Sequence, residues 1–230
     1  ACTSDTDLKA TEAARILFEN GTDVYKITNL LSAGLMGIEK NRKVVPTRWA
    51  ITATDDMLCS SYKAEVLRLP ALPEFEVFCD TLHGNTLCFI LIPSNDWRFE
   101  MIERWQKKSL WADDEETIII DGEKGKTKRE YSPIGGAYYA ARLAVLEYLY
   151  RRRCCARVIC IRDISGEYWA PLGVWVIREA SHAALAKEPK RFGTLSEAVS
   201  AASVLLDTSF WIPRMGLLKD IREQKTLFDF

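Results

Sequence analysis

Along residues 5–19 the apolar side chains Leu8, Ala13, Ile16 and Leu17 fall at the period of a helix with one buried face, and Asn20-Gly21 supplies the stop. The same spacing in Val24, Ile27, Leu30 and Leu31 predicts a second helix over 23–35. Thr54-Asp55-Asp56 reads as the start of a third, ending before Pro70 and Pro73. Residues 74–82 and 86–92 are strand-like instead, joined across His83-Gly84-Asn85, a tight-hairpin signal. Phe99, Ile102 and Trp105 stand three apart and predict a helix from Asp96. A short strand over 117–120 is followed by a charged loop over 122–128. The strongest helical pattern covers 136–152, with a strand over 156–162 behind it. Helices over 174–186 and 195–206 come next, the second opened by Thr194 and Glu197 in capping-box spacing.

No repeat, low-complexity stretch or linker divides this series. The expectation is one globular α/β (α+β) domain over 1–223, its mostly antiparallel sheet flanked by helices, with a flexible C-terminal peptide over 224–230.

Composition narrows the function classes. Hydrophobic residues make up 48% of 230, ample for a core. Thirty-one Lys plus Arg against 32 Asp plus Glu leave a formal charge of -1. That balance excludes a protein that coats nucleic acid non-specifically, because such binding needs an excess of cations, though a local basic face remains open. The seven cysteines lie mostly in apolar runs, with no Cys-x-x-Cys pair, and read as small buried hydrophobes rather than a zinc site. With neither a signal peptide nor an apolar run near eighteen residues, a cytoplasmic, nucleoid-associated location is expected.

Three segments carry candidate chemistry. In Pro46-Thr47-Arg48-Trp49-Ala50-Ile51-Thr52-Ala53-Thr54-Asp55-Asp56 a cation and an indole precede vicinal carboxylates. The two adjacent carboxylates Asp55 and Asp56 would hold a divalent metal or divide acid and base roles, with Arg48 as the cation of the same candidate site; alternatively Thr54 and Asp55 cap a helix. Gly135-Gly136 opens a helix with Tyr138, Tyr139 and Arg142 in its first turns, where free N–H groups attract phosphate and the rings offer stacking planes; close helix packing explains the glycines equally well. Arg178 and Glu179 follow a Pro-Leu-Gly turn bordered by Trp169 and Trp175, and form either a cleft lining or a structural salt link. Lys40, Arg42 and Lys43 make up the first of three cationic runs that would track phosphates if they converge.

The chain ends Gln224-Lys225-Thr226-Leu227-Phe228-Asp229-Phe230. Glutamine, an aliphatic residue three positions on and an aromatic six positions on resemble the PCNA-interacting box of DNA replication and repair proteins. A 3₁₀ turn puts residues i and i+3 on one side, so Leu227 and Phe230, with Phe228 beside them, would plug an apolar pocket while Gln224 bonds at its rim.

Residues 23–32, the stretch from Val45 to Asp56, His83-Gly84-Asn85, the helix start from Gly135 to Arg142 and Pro171-Leu172-Gly173-Val174-Trp175 are together similar to the archaeal Nre family of DNA repair proteins. The resemblance implies a role in the response to DNA damage and a sliding-clamp partner, which agrees with the tail. Longer members carry a cysteine-rich, zinc-ribbon-like N-terminal region, whereas here only Cys2 lies near the start, so the chain looks like a C-terminal part or a shortened form. An accessory protein riding on the clamp leads; a DNA-processing enzyme using Arg48, Asp55, Asp56 and Glu179, and a purely interacting module, stand as alternatives.

Overall fold

Pro46, which cannot donate inside a helix, closes an extended lead-in, and from Thr47 the chain coils for five turns. This is α3 (Thr47–Val66), preceded by α1 (Ala10–Glu19) and α2 (Val24–Ser32). It begins two turns earlier than the Thr54-Asp55 signal indicates, so both carboxylates sit in mid-helix and the capping alternative is withdrawn. The computed structural model describes residues 2–125, 128 and 130–228, the last five of them by backbone alone.

The sheet follows. β1 (Phe75–Leu82) and β2 (Asn85–Pro93) form the expected hairpin, turned by His83 and Gly84, both at positive φ. β3 (Arg98–Trp105), β4 (Thr117–Lys124), β5 (Ala156–Ile164) and the three-residue β6 (Lys190–Phe192) complete it in the order β4-β3-β5-β2-β1-β6. All neighbours are antiparallel except β3 and β5. That parallel pair needs a crossover, which β4 and α4 (Gly136–Arg152) supply.

Alternate sheet positions feed two cores. Leu87, Phe89, Leu91, Phe99 and Met101 join residues of α1, α2, α3, α4 and α5 (Val174–Leu185). Cys88, Ile90, Ile102, Ile159 and Ile161 join those of α6 (Leu195–Ala202), α7 (Thr208–Trp211) and α8 (Gly216–Phe228). The molecule is therefore an α+β sandwich of three layers.

β3 replaces the helix expected from Asp96. The three-residue spacing of Phe99, Ile102 and Trp105 misleads because both strand faces are covered, and its polar residues are buried through partners. Glu100 reaches across to the α8 start, accepting from the Gly216 and Leu217 N–H groups at 2.8 and 2.6 Å. Arg104 makes a two-pronged pair with Asp163 at 2.8 and 2.7 Å.

The cysteine expectation also needs one correction. Cys79 and Cys88 oppose each other in the β1–β2 register, with Cα atoms 4.1 Å apart, and form a disulfide. Cys2, Cys59, Cys154, Cys155 and Cys160 are free thiols. Among the described residues no helix is long and apolar enough to cross a membrane.

Candidate functional site

Three helices begin at one corner of the molecule. Gly135, at φ +72°, turns the chain into α4, and Gly173, at φ +66°, turns it into α5. A side-chain-bearing residue adopts such angles only with strain, so glycine fits both turns. Neither helix start has a side-chain cap, nor has Pro46 at α3, so their first-turn N–H groups have no side-chain acceptor. Gly136 has Val174 on one side and Thr52 of α3 on the other: a β-carbon on it would lie 2.3 Å from Val174 Cγ2 and 3.3 Å from Thr52 Oγ1.

Large aromatic side chains border this corner in the open. Trp49 is 61% exposed, Tyr131 66% and Trp111 67%, and Trp169 and Trp175 flank the turn into α5. A soluble surface rarely presents indoles at this density unless something covers them in use.

One cavity of about 470 Å³ lies between α3 and the turn into α4, lined by Trp49, Thr52, Ala53, Asp56, Tyr131 and Tyr139. The Tyr131 and Tyr139 rings stand 5.4 Å apart at 31°. Tyr139 is fixed by its hydroxyl, which accepts from the Ser132 N–H at 3.1 Å. The Arg48 guanidinium lies 6.0 Å from the Trp49 ring centre.

Asp56 is the one carboxylate of this lining. Its Oδ1 accepts from Arg142, a guanidinium buried in α4, while the Asp56 side chain is 53% exposed. Behind it, Arg142 donates to Glu123 Oε2 at 2.5 Å; Lys63 and the Trp97 indole donate to Oε1 at 3.1 and 2.7 Å. Burial alone would raise the Glu123 pKa, but Arg142 and Lys63 outweigh it and hold the carboxyl below its ordinary range. Two buried cations thus meet two carboxylates, with Asp56 the one that reaches solvent.

Asp55 points elsewhere, because one residue turns a helix by about 100°. It is fully buried and pairs with Arg178 of α5. Desolvation pushes its pKa up to about 6 despite that arginine. Arg178 lies 5.2 Å from the Tyr25 ring centre, and the Tyr25 hydroxyl donates to Glu179 at 2.5 Å. One turn on, His182 Nε2 meets Glu147 at 3.1 Å. Arg178 and Glu179 therefore bond to separate partners rather than to each other. Asp55 and Asp56, each committed to its own arginine, do not converge on a common ligand. Among the described residues no group of three or more His, Cys, Asp or Glu side chains is placed to hold a metal ion.

A second cavity, about 230 Å³, opens beside Gly136 between Trp105, Trp111, Tyr168 and the α5 start. The buried pair Arg162 and Glu103, 2.5 Å apart, lies in its wall, with Asn85 accepting from Arg162. Sequence reasoning passed over these residues, since Glu103 sat in a stretch read as helix.

The other predicted residues divide. Tyr138 is buried, edge-on to Phe99 at 5.1 Å, and is not available to a ligand; Tyr139 takes that place. Arg42 is spent on the N-terminal segment, donating to the carbonyls of Gly37 at 2.8 Å and Thr3 at 2.9 Å. Lys40 and Lys43 are exposed on the loop beside it. Of the tail, the backbone through Phe228 continues α8, whereas the side chains of Gln224, Leu227 and Phe228, and all of Phe230, lie outside the described residues.

Comparison with known proteins matches residues 1–112 to "Archaeal Nre, N-terminal" and residues 123–230 to "Archaeal Nre, C-terminal". The chain is 40% identical over 205 residues to DNA repair protein NreA of Archaeoglobus fulgidus, covering 89% of this chain and 52% of that protein. It is 38% identical to DNA repair protein NreB of the same organism, covering 98% and 58%, and 36% identical to DNA repair protein NreA of Haloferax volcanii, covering 97% and 52%. It thus spans about half the length of these curated relatives. No solved structure matches.

Proposed function

We propose, from the premise that this chain belongs to the archaeal Nre family, that it acts in DNA repair by receiving unstacked bases at its aromatic corner while its C-terminal box holds the PCNA sliding clamp. The relatives' names support the repair role. The observation that carries the base-receiving part is the pair of exposed rings, Trp49 and Tyr131, facing one cavity beside uncapped helix starts.

The physical case rests on stacking. A base placed on an aromatic side chain gains about 1–3 kcal/mol, and every base has a face to offer. A chain of net charge -1 has little to gain from counterion release, so stacking must supply most of the affinity. Single-stranded or locally opened DNA exposes such faces; an intact duplex does not. Modest intrinsic binding is enough for a protein carried to its site, because tethering to a clamp raises the effective concentration.

The test is a titration of a fluorescent ten-nucleotide single strand and the matching duplex at low salt. The single strand should bind and the duplex should not compete. Changing Trp49 and Tyr131 together to Ala should weaken binding by about tenfold or more. Equal affinity for duplex, or binding indifferent to those two rings, would refute this reading of the corner.

A further inference from the structure

We propose that the cavity between α3 and the turn into α4 is a guanine-selective pocket, in which Asp56 accepts hydrogen bonds from the Watson–Crick edge of an unstacked base held between the Trp49 and Tyr131 rings. The proposal rests on the reading of the corner as a base-receiving site and adds to it the identity of the base.

The cavity, about 470 Å³, has the size of a small-ligand site. Its lining is aromatic or small apart from Thr52 and its one carboxylate, Asp56. An ionised carboxylate only accepts hydrogen bonds, so it sorts ligands by their donors. Guanine presents two adjacent donors on its Watson–Crick edge, the ring N1–H and the amino group. Adenine and cytosine place one amino group beside a bare ring nitrogen that repels a carboxylate. Thymine places its single N–H between two carbonyls, which repel it as well. Of the four bases, guanine alone satisfies a carboxylate with a pair of parallel bonds.

Asp56 is built to hold still for this. Oδ1 is engaged by Arg142, leaving Oδ2 and the second lone pair of Oδ1 for a ligand. Arg142 is itself 1% exposed and fixed from behind by Glu123, which Lys63 and Trp97 fix in turn. A carboxylate on a solvated helix face samples several rotamers; this one is braced through four buried side chains, and such bracing makes an acceptor selective. Tyr139, anchored by the Ser132 N–H, sets the cavity wall behind Tyr131.

Fluorescence anisotropy on the full chain decides the matter. The probes are a ten-nucleotide oligo(dT) strand and the same strand with one central dG, dA or dC. The dG strand should bind about tenfold tighter than the others, the worth of a good two-bond base contact. Asp56→Asn replaces one acceptor by a donor and should erase that preference, so that the dG strand no longer binds tighter than the dA, dC and oligo(dT) strands. Tyr131→Ala should weaken all four strands alike. Competition by dGMP, but not by dAMP, dCMP or TMP, would extend the pocket to free nucleotides; competition by none, with the strand preference intact, would restrict it to guanine within a strand. Binding of all four strands with equal affinity would overturn the guanine assignment and leave the base-receiving corner standing. No binding of any strand would overturn both.

Discussion

Gly136 and Val174, the first residues of two helices that run side by side, are packed so closely that no β-carbon fits between them: the distance from one on Gly136 to Val174 Cγ2 would be 2.3 Å. Val174 cannot swing clear, since its other methyl would still lie 3.3 Å away and a β-branched side chain has few rotamers in a helix. Gly136→Ala should therefore cost about 1–3 kcal/mol in urea denaturation, the usual penalty of overpacking. Adding Val174→Ala should recover much of it, giving a favourable coupling in a double-mutant cycle. Additive losses would mean that the two helix starts do not press on each other.

Removing Glu123 tests the buried charge cluster. Glu123→Gln leaves Arg142 with Asp56 and takes from the buried Lys63 the carboxylate it pairs with, and breaking one side of a buried ion pair typically costs about 3–5 kcal/mol. Asp56→Asn, at a half-exposed position, should cost under about 1 kcal/mol. Thermal melts of the two variants should therefore differ by many degrees. Equal melts would show that the cluster contributes nothing specific.

Stability should lean toward mildly acidic pH through His182 and Asp55. Burial pulls the His182 pKa down, but Glu147 and the Arg178 carbonyl outweigh it and leave the value above 6.5. A raised folded-state pKa stabilises fully below the unfolded value and loses that contribution as pH rises through the folded one. Asp55, raised by desolvation from 3.8 to about 6, follows the same sign: its contribution is complete below 3.8 and gone above about 6. His182→Gln should thus destabilise more at pH 6 than at pH 8.5, by under about 1 kcal/mol because the ring is a third exposed. Urea curves at the two pH values check it, and a loss that does not shrink toward pH 8.5 would contradict the sign.

The clamp-binding box is tested by Leu227→Ala together with Phe230→Ala. Two apolar anchors of this kind typically cost more than about 2 kcal/mol each when truncated, so clamp binding by surface plasmon resonance should fall below detection. The melting temperature should stay unchanged, and retained clamp binding would sink the tether.

Much of the architecture was legible in local pattern. α4 runs over Gly136–Arg152 as its periodicity predicts, and the Thr194–Glu197 capping box opens α6. β3 was not legible, because a strand covered on both faces loses the alternation by which strands are recognised. Of the candidate site, the α3 segment and the glycine turn into α4 were visible as unusual words. The division of labour between Asp55 and Asp56 was not: a helix turn sends adjacent side chains to different neighbours, and only the packed α4 and α5 reveal which arginine each one meets. Tyr131 carried no local signal, since an exposed ring acquires meaning only from the cavity it faces.

The strand order β4-β3-β5-β2-β1-β6 has a consequence for how such a chain is made and inherited. β3 comes from the segment matched by the first family description, yet its neighbour β5 comes from the second and lies between two strands of the first, β3 and β2; β4, on the other side of β3, starts in the stretch between the two matches and ends in the second. The two segments are interleaved like the fingers of clasped hands. A ribosome that has delivered the first hundred residues has delivered strands whose edges stay open until β5 arrives, and open edges invite association with other chains. Folding must wait for pairings distant in sequence, which slows it. The two halves can diverge in sequence, but neither can be lost, swapped or duplicated without unmaking the other.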